Sequence, residues 1–223
     1  MILFIIINFL GILLTFFSIF LLNKKHKILS SENIILSFIL FLIFFFAFSK
    51  IGFILINLKI DMKVTIYFIT SNHAFIGGYI GTLIFLSLVC KLFNCKKNDL
   101  MILYLPNMLL LYSILKIGCY INGCCNGKIF IPIQIVESIL NFIAYIYTIY
   151  LILNNKNKIY IVSNSILLFG LLRLILSIFR IYYSSYTFII VEIICLFIIT
   201  YSFIYKKKNK VHINYFLISS RNL

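Results

Sequence analysis

Long runs of Ile, Leu, Phe and Val follow one another along this chain, separated by short polar or basic punctuation rather than by regular alternation. A strand wet on one face would alternate with a period of two, and a soluble amphipathic helix would carry a polar stripe every three or four residues. Neither pattern dominates. A helix needs roughly 20 mostly apolar residues to cross a hydrocarbon core of about 30 Å. Seven runs meet that need, near residues 2 to 22, 34 to 58, 65 to 93, 100 to 118, 133 to 153, 159 to 182 and 187 to 205. The first run has no positive segment before it and no A-x-A-like cleavage site after it, so it is read as a span and not as a signal peptide. The expectation is an all-α integral membrane protein of seven transmembrane helices. It forms a single domain over residues 1–205, followed by a basic tail over 206–223, with no soluble domain and no internal repeat.

Composition agrees: 63% of residues are hydrophobic and 11% charged, with a net charge of +15. In a soluble protein such a charge would point to nucleic acid, but in a bilayer it asks which side the lysines occupy. With the N-terminus outside, the cytoplasmic side collects Lys24, Lys25, Lys27, Lys91, Lys96, Lys97, Lys156, Lys158, Lys206, Lys207, Lys208, Lys210 and Arg221. The outer side keeps Lys59, Lys63, Lys116, Lys128 and Arg180, while Lys50 and Arg173 fall within spans. This bias predicts N-out and C-in, which requires an odd number of spans. The tail sequence KKKNK reads as an anchor on anionic lipid headgroups, and nucleic acid is not an expected partner.

The abundance of Ile, Asn, Lys, Phe and Tyr suggests an AT-rich genome, which makes the rare arginines informative. Arg173 and Arg180 share the run LLFGLLRLILSIFR, and their spacing of seven predicts one helix face. An arginine near the bilayer centre costs about 2.5 to 3.5 kcal/mol on insertion scales, so it faces a polar cavity or a partner. Its planar fork suits a phosphate. For Arg180, snorkelling to the outer interface is the simpler alternative. Upstream, SNHAFIGGYIG holds a GxxxG pair, Gly77 and Gly81, that permits close helix approach. Ser71, Asn72 and His73 form a polar mouth beside it. In PIQIVE, at the start of the fifth span, Gln134 and Glu137 begin a polar stripe that Asn141 continues at i, i+3 and i+7. Pairing of Glu137 with Arg173, Arg180 or Lys116 is expected, because an unpartnered buried glutamate is costly. Glu192, in the last span, is a second candidate for an arginine partner.

The stretch KIGCYINGCCNGK, residues 116 to 128, concentrates glycine, asparagine and cysteine in an otherwise apolar chain. Its C-x4-C-C spacing is not the paired C-x2-C of a zinc site, so no metal is assigned. A disulfide among Cys119, Cys124 and Cys125 stays open, as does a GxxxG packing role for Gly123 and Gly127. The polarity of Gly118, Asn122, Asn126 and Lys128 suits a re-entrant or broken-helix loop near the outer face, with backbone amides lining a cavity.

In order along the chain, FIGGYIG, KIGCYINGCCNGK, PIQIVE and GLLRLILSIFR resemble the prolipoprotein diacylglyceryl transferase family, as a divergent, cysteine-bearing loop variant. The resemblance implies a bacterial plasma membrane enzyme. It would move a diacylglyceryl group from phosphatidylglycerol to the lipobox cysteine thiol of a preprolipoprotein, with no cofactor. On that likeness Arg173, Arg180 and Glu137 are catalytic candidates, and His73 joins them as the one imidazole expected on that side. Lys116, Gly118, Asn122, Gly123, Gly127, Gln134, Gly77 and Gly78 are the candidates for binding substrate. The chain departs from the family at Ile76, Lys116, Cys119, Cys124 and Ser177, where the better-known members carry histidine, arginine, asparagine, glutamate and glutamate. Those departures keep two other readings in play: a non-catalytic relative that binds a phospholipid or peptide, and a thiol-redox protein using Cys119, Cys124 and Cys125.

Overall fold

The computed structural model describes residues 2–56, 75–123, 132–179 and 185–219, with side chains described except at 53–56, 75, 185–188 and 208–219. Seven helices and no strand occur among these residues. They are α1 (Ile2–His26), α2 (Ser31–Ile56), α3 (Phe75–Leu92), α4 (Lys97–Ile121), α5 (Ile133–Leu153), α6 (Lys158–Ser177) and α7 (Ser185–Ser219). Six are long and apolar enough to cross a membrane, and α3 is a shorter apolar helix from Ile76 to Leu92. The expected first part of the third span, residues 65–74, lies outside the described residues. α7 runs on through Lys206 into the basic tail without a break.

Local chemistry marks the helix ends. Asn23 clamps the turn after α1 twice, its Nδ2 donating to the Leu29 carbonyl and its Oδ1 accepting from the Leu29 N–H, both at 2.9 Å. Ser30 caps α2 by accepting from the Asn33 N–H, and Asn157 caps α6 by accepting from the Ile159 N–H at 2.9 Å. α4 ends differently. Gly123, with φ of +65°, adopts the left-handed conformation that stops a helix, and its N–H bonds the Tyr120 carbonyl at 3.1 Å.

Burial sorts the helices. In α4, 83% of the most apolar window is buried, against 17% in α1, so α4 is the central helix and α1 a peripheral one. Ile5, Phe9 and Phe17 of α1, Ile143 and Tyr150 of α5, and Ile193 and Phe197 of α7 point outward. A bundle whose outer faces are as apolar as its interior is the build of a multi-pass membrane protein.

Glycines set the closest approaches. A Cβ at Gly77 would meet the Phe48 carbonyl of α2, and one at Gly81 would lie 2.7 Å from the Phe44 carbonyl. Gly11 of α1 faces Ile114 of α4, and Gly170 of α6 faces Ile198 and Ile199 of α7. These contacts run 77 with 48 and 81 with 44, so α2 and α3 are antiparallel; α1 and α4 are antiparallel by the same test. Inside, Tyr104 of α4 packs against Phe41 and Phe85 and shares a 2.6 Å hydrogen bond with Ser37. Pro106 withholds an N–H from the α4 ladder, and beside it Asn107 donates from Nδ2 to the Leu103 carbonyl at 2.6 Å.

The packing gives the bundle two different poles. At one, Lys158 of α6 meets Asp99 of α4, and Lys206 of α7 lies over the Tyr160 ring. The other gathers the C-terminal turns of α4 and α6 and the N-terminal turns of α5 and α7.

Candidate functional site

The second pole contains a buried charge cluster built by α4, α5 and α6. Glu137, fully enclosed, takes Lys116 Nζ at 3.1 Å on Oε2 and Arg173 Nη1 at 3.3 Å on Oε1. Tyr112 joins both partners: Arg173 Nη1 donates to its hydroxyl at 2.9 Å, and that hydroxyl donates to Glu137 Oε2 at 3.3 Å. The Lys116 ammonium also lies 5.1 Å from the centre of the Tyr112 ring. One turn of α4 separates Tyr112 from Lys116, which is why both reach the same carboxylate. A hydrogen bond of 3.2 Å between Ser113 and Ser138 fixes the register of α4 against α5. Below the cluster, Phe169 packs edge-on to Tyr112 and stacks face to face with Tyr79 at 4.1 Å.

The polar stripe of α5 is buried as a unit. Gln134, Glu137 and Asn141 are all nearly inaccessible, and Asn141 Nδ2 holds the Glu137 carbonyl at 2.7 Å. At rises of about 1.5 Å per residue, Glu137 sits roughly 6 Å inside the start of α5 and Lys116 about 8 Å inside the end of α4. The cluster therefore lies about one to two turns below the pole.

Several expected positions change. Lys116 does not flank a loop on the outer side, because α4 continues through Ile121 and draws Lys116 into the core at 5% exposure. The first half of the expected re-entrant loop is thus regular helix, ended by Asn122 and Gly123. Residues 124–131, with Cys124, Cys125 and Gly127, lie outside the described residues. α6 ends at Ser177, and the helix face expected to be shared by Arg173 and Arg180 falls outside the described residues. Arg180 and His73 also lie outside the described residues.

Of the other candidates, three glycines occupy packing positions. Gly118 sits against α1, where a Cβ would lie 2.6 Å from Asn8 Oδ1. Gly77 and Gly78 face α2, with Ser49 and Phe45 closing over Gly78. Asn122 is exposed, and Gly123 has open space around its Cα. Among the described residues no group of three or more His, Cys, Asp or Glu gathers to hold a metal.

Tyr112 and Ser177 are the residues that sequence reasoning passed over as partners. Ser177, one turn beyond Arg173, donates to Glu192 of α7, which gives that glutamate a hydroxyl partner. The patch formed by Ile76, Val191 and Cys195 packs beside them. Chemically, the arrangement offers two cations on one carboxylate, with a tyrosine hydroxyl between. Neither the family models nor the curated proteins compared with this chain give a match.

Proposed function

We propose that this chain is a diacylglyceryl transferase of the bacterial plasma membrane, spanning it seven times with the N-terminus outside and the C-terminus inside. Its donor is phosphatidylglycerol and its acceptor the lipobox cysteine thiol of a preprolipoprotein. The observation that carries the reading is convergence: Lys116, Glu137 and Arg173 come from three separate sequence motifs and meet in one buried cluster. Those are the motifs on which the resemblance rests.

The chemistry asks for an electrostatic partner. The acceptor sulfur forms a C–S bond to the glyceryl carbon, the C–O bond to phosphate breaks, glycerol phosphate leaves, and the thiol proton passes to a base. Negative charge grows on the departing phosphate, where fixed cations lower the barrier most. Arg173 supplies a planar fork and Lys116 a compact charge. Glu137 and Tyr112 hold the guanidinium in place, and preorganisation of this kind is what keeps such cations effective. His73 is the candidate to accept the thiol proton, Arg180 a second phosphate contact, and Asn122, Gln134 and Gly127 contacts to the headgroup. The lysines of the opposite pole and the α7 extension sit on anionic lipid in this orientation.

The test incubates purified protein with phosphatidylglycerol and a lipobox peptide and reads the peptide mass. A diacylglyceryl mass gain is expected for the native chain, and none for Arg173→Ala inserted in the same membranes. Normal transfer by Arg173→Ala removes the phosphate role. No transfer by the native chain, together with measurable phosphatidylglycerol binding, would replace this reading with that of a lipid-binding relative.

A further inference from the structure

Cys90 and Cys95 lie at the lysine-rich pole, far from the motifs discussed so far, and the end of α3 brings them together. α3 ends at Leu92, Asn94 takes a φ of +47°, and the Cys95 N–H returns to the Cys90 carbonyl at 3.1 Å. This is the six-to-one bond of a Schellman cap, in which the residue three from the end of the helix touches the residue two past its terminus. Here those two residues are both cysteines. α5 closes in the same way, with Asn155 at a φ of +50° and the Lys156 N–H on the Leu151 carbonyl, and there the pair is Leu and Lys.

The backbone bond limits how far apart the two residues can be. Summing the covalent reach of the carbonyl and the amide around a 3.1 Å contact holds the Cα atoms within about 7 Å, close to the outer limit for a disulfide. Both are free cysteines and half-buried. Cys90 Sγ rests on the Ser87 carbonyl at 3.3 Å, while Lys97 reaches back to Ser87 Oγ at 2.8 Å. Burial, and then the neighbouring Cys90, push the Cys95 thiol above its ordinary value. Lys91 and Lys96 beside them are exposed, so this turn is at the water-facing rim of the bundle.

We propose that Cys90 and Cys95 form a closable dithiol site that takes a small-molecule disulfide as its oxidant. One thiolate attacks the small disulfide, forms a mixed disulfide and expels a thiolate. The second protein thiolate attacks the protein sulfur of that mixed disulfide and expels the other half. Two electrons pass from the protein sulfurs to the two small thiols, which carry away the two protons, and a Cys90–Cys95 bond remains. The cap holds the pair in place before oxidation, so closure needs no unwinding of α3. The inference is independent of the transferase reading, and its test does not involve lipid transfer.

The full chain in detergent or nanodiscs is treated with oxidised glutathione, alkylated with a maleimide and mapped by peptide mass. The expected product is an internal Cys90–Cys95 disulfide, seen as the loss of two hydrogens and restored to maleimide reactivity by a dithiol reductant. Asn94→Gly, which keeps the left-handed backbone, closes within about twofold of the native rate. Asn94→Val, which opposes positive φ, closes about tenfold more slowly. Glutathione left attached to either cysteine, a disulfide from either to a different cysteine, or two thiols untouched by both reagents would overturn the proposal. So would equal closure rates in the two Asn94 variants.

Discussion

At the lysine-rich pole Lys158 meets Asp99 at 2.7 Å, with the lysine side chain 56% exposed; at the other, Lys116 and Arg173 reach Glu137 at 3.1 and 3.3 Å. By distance alone the exposed pair is the stronger. Surroundings reverse the ranking. Water around Lys158 competes for both ions and screens them, so such a pair contributes about 0 to 1 kcal/mol. Around Glu137 no water reaches the carboxylate, and the loss of one partner leaves a charge stranded. The comparison separates two reasons for keeping an ion pair. The exposed one sits where lysines already set topology, whereas the buried one carries a desolvation cost that apolar packing would avoid. A buried cluster of this kind is therefore weak evidence for stability.

Breaking the buried cluster has the largest expected effect. Glu137→Ala strands Lys116 and Arg173 together in the core and lowers stability by about 3 to 5 kcal/mol, measured by SDS titration in bicelles. A fall under about 1 kcal/mol would mean the cluster behaves like the exposed pair. Next comes removal of the whole cluster. Lys116→Met, Glu137→Leu and Arg173→Met combined restores unfolding free energy to within about 1 kcal/mol of the native chain, since no charge is stranded. In the transfer assay the same variant is inactive, which divides stability from function.

A smaller loss of stability than that of Glu137→Ala isolates the hydroxyl at the centre. Tyr112→Phe leaves the ring beside the Lys116 ammonium but removes the oxygen that Arg173 and Glu137 share. Because both partners are charged, the loss is about 1.5 to 3 kcal/mol, with transfer reduced and not abolished. Unchanged stability would show that the two ion pairs hold the cluster without the bridge.

The contrast between the poles also explains what the sequence made legible. Apolar runs reveal helices, and the spacing of Gln134, Glu137 and Asn141 reveals a buried stripe, because three polar residues on one face cannot all meet lipid. The centrality of α4 is not readable in this way. Lipid and protein interior are equally apolar, so a central helix and a peripheral one look alike in hydropathy. That is why Lys116 reads as a flanking charge: its burial depends on the helices packed around α4, not on its own neighbours. Tyr112 was hidden among 15 tyrosines, and only the approach of α5 and α6 selects it. The GxxxG of Gly77 and Gly81 could be read as packing, but its partner, α2, could not. The Cys90–Cys95 pair was missed because its spacing of five matches neither helix face nor metal motif, and only a left-handed Asn94 brings the two together.

The smallest expected effect lies at the exposed pole, and it is the control on which the comparison depends. A double-mutant cycle of Lys158→Ala and Asp99→Ala gives a coupling of about 0.2 to 1 kcal/mol, despite the shorter contact. That coupling declines as salt is raised, since ions reach an exposed pair and the Debye length falls to about 3 Å at 1 M. The Lys116–Glu137 coupling, measured in the same cycle format with Lys116→Met and Glu137→Gln, changes little over the same salt range because the screening ions stay outside. If both couplings fall together with salt, water and ions reach Glu137, and the buried cluster loses the property that distinguishes it from the pair at the other end.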